Sequence, residues 1–413
     1  MLALVFGLHL LRLATAVVTP SARSAIESFK VMDMVELATQ LESEGEDIKH
    51  LEVGQPSTGA PKLVLEAAAT ALQSDRIGYT SAQGIDALRQ RIAKHYLDKY
   101  GCVVAKERIL VTTGSSAAFI FAFLGCFDTG DHVALCSSGY PCYFNDLKAL
   151  SCPTVSIKVN EQFKVTATEL EAEVERRRAN KLPPLKGFIC SSPSNPTGAM
   201  LSPKELQDLC TACEKHGIVF ISDEIYHGIS FGGQEEATAA QFSDNAIVVN
   251  SFSKYYSMTG WRLGWMVLPE SLVDTMNRLS QNLYINPPTL SQIAGVRAFD
   301  ATEELEGHVR KYKENREIVR ATLQELGLLE GAAPSDGAFY IYLDLTKQGV
   351  VDAPALCKRL LREAKIACTP GVDFESPESG LGLKRIRFSF SRSTEEVREG
   401  MRRFAEWWKK NMQ

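Results

Sequence analysis

From about residue 105 the chain alternates short, almost continuously hydrophobic runs with longer stretches of helical period. The runs are Ile109–Thr113, His132–Cys136, Gly187–Cys190, Ile218–Ser222 and Ala246–Asn250. A strand with one wet face alternates apolar and polar residues. Unbroken hydrophobicity instead predicts strands covered on both faces, and hence a mostly parallel α/β sheet. Each run ends in a polar or glycine-containing cluster: Thr113-Gly114-Ser115-Ser116, Ser137-Ser138-Gly139-Tyr140-Pro141, Ser192-Pro193-Ser194-Asn195-Pro196-Thr197-Gly198, Asp223-Glu224-Ile225-Tyr226 and Ser251-Phe252-Ser253-Lys254. Ligands of such sheets bind at the carboxyl ends of the strands, so the five clusters predict one site along one edge.

Only seven residues separate Lys254 from Arg262, too few for a parallel crossover. The run Leu263–Pro269 is therefore predicted to return antiparallel, carrying Arg262 back to the edge where Lys254 sits. Ser202-Pro203-Lys204-Glu205 has the form of a capping box with proline at the first helical position. A helical pattern over 270–325 is interrupted at Asn286-Pro287-Pro288. Beyond it, strands at Gly337–Asp344 and Arg385–Ser389 and helices at Ala353–Lys365 and Thr394–Lys410 read as a smaller α+β unit. The chain divides into an apolar extension over 1–20, an arm or part of the smaller unit over 21–50, a large domain over 51–290 and a small C-terminal domain over 291–413.

Composition narrows the classes. The 413 residues suggest two or three domains, and 45% apolar with 23% charged residues is the balance of a soluble globular protein. A net charge of -5 argues against nucleic acid as the main partner. The ten cysteines lie within apolar runs without the spacing of a disulfide framework, which suits free thiols in a reducing compartment. Cys210 and Cys213 form a C-x-x-C, yet with Leu206 and Leu209 they fall on the buried face of the helix that the capping box opens. They read as core thiols, and no metal site is expected. The first eighteen residues are apolar except for His9 and Arg12. Ala14-Thr15-Ala16 resembles a signal cleavage site but lacks a basic region before it. Arg12, Arg23 and the absence of any acid before Glu27 fit a transit peptide, and a non-native extension is the third reading. One short segment is a poor membrane anchor. The expected location is cytoplasmic, or an organelle matrix if 1–20 is a transit peptide.

The clusters carry chemistry. Lys254, flanked by Ser251 and Ser253 and followed by Arg262, suits an amine that condenses with a carbonyl while its neighbours hold a phosphate; an apolar setting lowers a lysine's pKa and frees the nucleophile. Gly114, Ser115 and Ser116 open a helix, where amides and hydroxyls form an anion site, although serine N-capping alone would look the same. Neither G-x-G-x-x-G nor a complete Walker loop occurs; Gly54–Gly59 has the glycine spacing without the lysine. Asp223, at the end of a buried strand, needs a cationic or hydrogen-bonding partner, either a protonated pyridine nitrogen or an ordinary lysine or arginine. Tyr226 and Asn195 offer donors to an oxyanion, and Tyr140 a stacking ring or simple packing. Together the inventory matches pyridoxal 5′-phosphate.

In Gly54-Gln55-Pro56, Tyr79-Thr80 with Gly84, Gly114-Ser115-Ser116, Tyr140-Pro141, Asn195-Pro196-Thr197-Gly198, Asp223-Glu224-Ile225-Tyr226, Ser251-x-Ser253-Lys254, Arg262 and Arg387, the chain resembles the fold-type I, pyridoxal-phosphate-dependent class I/II aminotransferases of the aspartate-aminotransferase-like group, from about residue 25 to the C-terminus. The resemblance implies a large cofactor-binding domain whose sheet is mostly parallel with one antiparallel strand, plus a smaller α+β domain. It implies that Lys254 bonds the cofactor and moves the substrate proton, that Asp223 pairs with the ring nitrogen, and that Asn195 and Tyr226 bond its phenolate oxygen. Tyr140 would stack on the ring. Gly114, Ser115, Ser116, Ser251, Ser253 and Arg262 would hold the phosphate, with Tyr79 reaching in from the other subunit of a homodimer. Arg387, with Gly54 and Asn195 beside it, would take the substrate α-carboxylate. The Asn195–Pro196 bond is a candidate cis peptide. The implied activity is ping-pong transfer of an amino group between an L-amino acid and a 2-oxo acid. The alternatives are a carbon–sulfur or aminocyclopropane-carboxylate synthase-like lyase of the same fold, a non-catalytic amino-acid sensor, and an interaction protein of α/β type. Ser116 stands where some aspartate-selective relatives place a lysine, which weighs against aspartate. A pocket lined by Tyr79, Tyr284, Phe231 and Phe339 would favour apolar or aromatic donors.

Overall fold

The computed structural model describes residues 18–74, 76–232 and 234–412. Twelve strands occur among them: β1 (Lys49–His50), β2 (Ile109–Thr112), β3 (His132–Cys136), β4 (Thr154–Ile157), β5 (Leu185–Ser191), β6 (Val219–Asp223), β7 (Ile247–Ser251), β8 (Gly264–Val267), β9 (Tyr340–Asp344), β10 (Ile366–Ala367), β11 (Thr369–Pro370) and β12 (Arg385–Ser389). Seven of them form one sheet in the order β2-β8-β7-β6-β5-β3-β4. All its pairings are parallel except those of β8, which runs antiparallel to both β2 and β7. The short connection after Lys254 thus returns the chain as its length requires.

The double covering follows from the side-chain alternation. Along β2, Ile109 and Val111 enter one core and Leu110 the other; along β7, Val248 enters the first and Ile247 and Val249 the second. Both faces are apolar because helices pack on both. The edge strand β4 was not anticipated. Its burial alternates with an exposed Ser156, so it lacks the continuous hydrophobic run of the central strands.

The capping box is formed, with Glu205 N donating to Ser202 Oγ at 3.2 Å and Ser202 N to Glu205 Oε2 at 2.7 Å. Cys210 and Cys213 of this helix are buried in the core. The pattern over 270–325 resolves into three helices, Val273–Leu283, Thr289–Ala298 and Thr302–Glu325, broken at the two prolines and again at 299–301. The pattern from Ala353 ends as α-helix at Arg359, continues as a π turn over Leu360–Ala364, and is closed by Lys365 at φ +60°.

A second core lies among β9, β10, β12 and the C-terminal helix Thr394–Asn411. β12 pairs antiparallel with both β9 and β11, and β1 pairs parallel with β10. The helix Lys30–Ser43 joins this core through Met34 and Ala38. Among the described residues no helix is long and apolar enough to cross a membrane. Residues 1–17 of the apolar extension lie outside the described residues, and 18–20 are exposed coil.

Candidate active site

The carboxyl ends of β2, β5, β6 and β7 deliver their side chains to one cavity of about 290 Å³, closed from the other side by residues of β9 and β12. Ser115, Ser116, Tyr140, Asn195, Asp223, Tyr226, Ser253, Lys254, Arg262 and Arg387 line it, with Gly54. Gly114 and Ser251 stand just behind: Ser251 Oγ accepts from Ser253 N at 3.1 Å and lies 2.9 Å from Ser253 Oγ. Among the residues predicted to hold cofactor or carboxylate, Tyr79 alone is elsewhere, 85% exposed on a loop tied to the helix Thr289–Ala298 through Thr289 Oγ1 to Gly78 O, 2.6 Å, and Gln292 Nε2 to Thr80 Oγ1, 3.1 Å.

Close backbone approach shapes the anion end. Gly114 has φ +74°, and a β-carbon there would overlap the guanidinium of Arg262. A β-carbon on Gly264 would meet Asn250 O and Gly114 C at 2.9 Å. Three chain segments therefore meet so tightly that only glycine fits, leaving the helix start, the hydroxyls of Ser115, Ser116 and Ser253, and Arg262 around one concavity. Arg262 itself sits at φ +50° and is anchored by Nη1 to Thr259 O at 2.9 Å. This donor set suits a phosphate.

Lys254 is half-buried, and Nζ donates to Gly54 O at 2.7 Å. Burial first, then the positive charges of Arg387 and Arg262, lower its pKa to about 8 against a smaller opposing pull from Asp223. Asp223 is fully enclosed, and burial raises its carboxyl to about 6 despite bonds from Tyr143 and from Ile225 N at 3.1 Å. No lysine or arginine bonds its carboxylate among the described contacts. A cationic ring nitrogen would satisfy it.

Arg387 lies between the rings of Tyr340 and Phe374, 4.3 and 4.5 Å from their centroids. Nη1 donates to Asn195 Oδ1 at 2.7 Å and Nη2 to Glu52 O at 2.5 Å, while Nε has no partner. Tyr226 Oη is 2.7 Å from Tyr340 Oη. Both Asn195–Pro196 and Ser192–Pro193 are cis; the sequence pointed only to the first.

Within one chain the expected aromatics do not form the lining. Phe339 packs beneath Tyr226, Phe231 lies against Phe390, and Tyr284 sits edge-on to Phe121. None of them lines the cavity. Phe29, Val31, Met32 and Val53 supply its apolar wall. Sequence reasoning also missed Tyr143, Tyr340 and Phe374. Tyr143 follows Tyr140 by three residues in a helix opened by Pro141, a spacing that places both on one side. Tyr340 and Phe374 carry no local signal.

The family model for aminotransferase class I and II matches residues 46–404. A valine–pyruvate aminotransferase of Mycobacterium tuberculosis is 41% identical over 389 residues, 93% of this chain and 97% of that relative. A crystal structure of an aminotransferase from Mycobacterium tuberculosis superposes with a TM-score of 0.90 at 41% identity, over 95% of this chain and 100% of that one. Aspartate aminotransferase from Thermus thermophilus, solved with maleate, gives a TM-score of 0.85 at 28% identity, over 94% and 99%. The fold is that of fold-type I, and the family in general depends on pyridoxal phosphate. With this match across the chain and these side chains on one edge of the sheet, the protein belongs to the class I and II aminotransferases and is an aminotransferase of amino acids and 2-oxo acids.

Proposed function

We propose that the chain binds pyridoxal 5′-phosphate in this cavity as a homodimer and exchanges amino groups between neutral, apolar L-amino acids and 2-oxo acids. The observation that carries the reading is the joint placement of a depressed lysine, a buried carboxylate without a cation and a glycine-walled anion cup around one space. The bound cofactor supplies a carbonyl for the donor amine and a protonated ring that accepts an electron pair. Ser115, Ser116, Ser253 and Arg262 hold its phosphate, backed by Gly114 and Ser251. Asp223 keeps the ring nitrogen protonated, Tyr140 covers the ring, and Asn195 and Tyr226 bond its phenolic oxygen.

Arg387 grips the donor α-carboxylate through the side of its guanidinium that remains open, oriented by Asn195 and by the two flanking rings. Lys254 Nζ, with its pKa lowered to about 8, takes the proton from the donor Cα and returns it. Donor and acceptor use the one carboxylate site in turn, which is ping-pong order.

Neutral donors are favoured because the cations lining the cavity are Lys254, Arg262 and Arg387, each already assigned, while Phe29, Val31, Met32 and Val53 face the remaining space. The valine–pyruvate relative supports the same class. For the dimer, the exposed Tyr79 supplies apolar surface on a loop bonded to the helix Thr289–Ala298, and the exposed Leu283, Tyr284 and Ile285 supply more just before that helix. The test is the visible spectrum of the purified protein under a donor panel without oxo acid. Valine and alanine should convert the band well ahead of aspartate. A band that persists while pyruvate, ammonia or thiol is released would replace transfer with elimination.

A further inference from the structure

Glu52 is a carboxylate with 1% side-chain exposure, and its Oε2 has no hydrogen-bond partner. Its Oε1 takes a bond from His50 Nδ1 at 2.8 Å, and His50 Nε2 reaches Glu42 Oε1 at 2.9 Å. Such a buried charge costs stability, and for packing alone an apolar side chain would serve better. Its location explains why it is there. Segment 49–52 is stitched into the second core by Leu51 N to Ala367 O at 3.0 Å, Ser389 N to Leu51 O at 2.7 Å and His50 N to Glu396 Oε1 at 3.1 Å. From its end, two carbonyls point to the active site. Glu52 O accepts from Arg387 Nη2 at 2.5 Å and from Thr369 Oγ1 at 2.9 Å, and Gly54 O accepts from Lys254 Nζ at 2.7 Å.

We propose that the Glu52 carboxylate, gripped by His50, is a positioning residue for substrate-carboxylate binding: it fixes the Glu52 carbonyl on which Arg387 rests. The inference rests on the reading of Arg387 as the carboxylate site. The chain of contacts runs from Glu42 on the helix Lys30–Ser43, through the imidazole, to the peptide group that holds Arg387. Held between two carboxylates, His50 is kept protonated, its pKa raised to about 9 chiefly by the bond to Glu52. Both ring nitrogens then donate, and the segment is pinned from its outer side. Side chains 50 and 52 thus lie on one side of the segment, as a strand's period of two requires.

The test uses the holoenzyme and 3-methylbutanoate, a carboxylate without an amine, titrated against the visible band of the bound cofactor. Glu52→Ala should weaken 3-methylbutanoate and raise donor and oxo-acid KM by about tenfold or more, with kcat within about threefold, since a misplaced guanidinium loses ground-state and transition-state binding alike. Glu52→Gln, which can still accept from His50, should restore affinity to within about threefold of wild type. His50→Gln, on a partly exposed residue, serves if Glu52→Ala does not fold, and should show the same split. Wild-type affinity in Glu52→Ala or His50→Gln would overturn the inference, as would an equal loss in Glu52→Gln with kcat falling alongside. Arg387→Lys separates the two readings: if it leaves 3-methylbutanoate binding intact, the carboxylate assignment fails and this inference with it. If Arg387→Lys weakens binding and the Glu52 and His50 variants do not, the inference alone fails.

Discussion

Tyr143 donates its phenolic hydrogen to the carboxylate of Asp223, and both groups are buried. The bond holds the carboxyl down against the burial that raises it to about 6. The carboxylate proposed to face a pyridinium is thereby kept anionic at neutral pH without a resident cation to compete for it.

Tyr143→Phe removes that donor while keeping the ring. The Asp223 carboxyl should rise further, by about one unit or more for a lost bond to a charged group. Cofactor affinity, strong above the carboxyl's pKa and weakening as pH falls through it, should therefore begin to fail at a higher pH than in wild type. Equilibrium titration of the apoprotein with pyridoxal phosphate between pH 5 and 8 reads the shift.

Without cofactor, Asp223 should destabilise the fold in a pH-dependent way. Its folded pKa of about 6 lies above the ordinary 3.8. Below the ordinary value the group is neutral in both states; above about 6 the folded protein carries a buried charge that the unfolded chain solvates. The cost grows across that window to on the order of 3 kcal/mol. Apo Asp223→Asn should match apo wild type near pH 4 and exceed its thermal midpoint at pH 8.

Lys254 should react with pyridoxal phosphate at a rate that climbs with pH and levels off above about 8, because the neutral amine is the nucleophile. The positive charge of Arg387 contributes to the lowering, so Arg387→Leu should move the limb upward. Stopped-flow absorbance of the apoprotein measures both.

Gly114→Ala combines an unfavourable left-handed φ of +74° with overlap on Arg262. Arg262 must then leave the anion cup, and cofactor affinity should fall by about a hundredfold, the scale of one lost charge-assisted bond plus backbone strain. Gly130→Ala, also at positive φ but with open space around it, should show a small stability loss and unchanged cofactor affinity.

Much of this was legible from the linear chain. Continuous apolar runs at 109, 132, 218 and 246 mark strands buried on both faces, and polar clusters at their ends mark the site edge. The seven residues after Lys254 force the antiparallel return of β8, a consequence of connection length alone. The capping box at Ser202 places Cys210 and Cys213 in the core. These are local effects, set by covering, by reach and by the backbone groups of a helix start. Arg387 was named through the family resemblance, but the residues that hold and flank it were not legible. Glu52 follows β1, Tyr340 lies in β9 and Phe374 between β11 and β12, and these segments meet around Arg387 only once the second unit has folded. The lining aromatics were misassigned for the same reason: Phe231 and Phe339 are as apolar as Phe29, and only the packed fold decides which ring faces the cavity and which the core. Sequence alone determined the residue types proposed for catalysis and the edge they share; tertiary structure decided which carbonyl, ring and phenol each one rests on, because those contacts join segments that no local pattern relates.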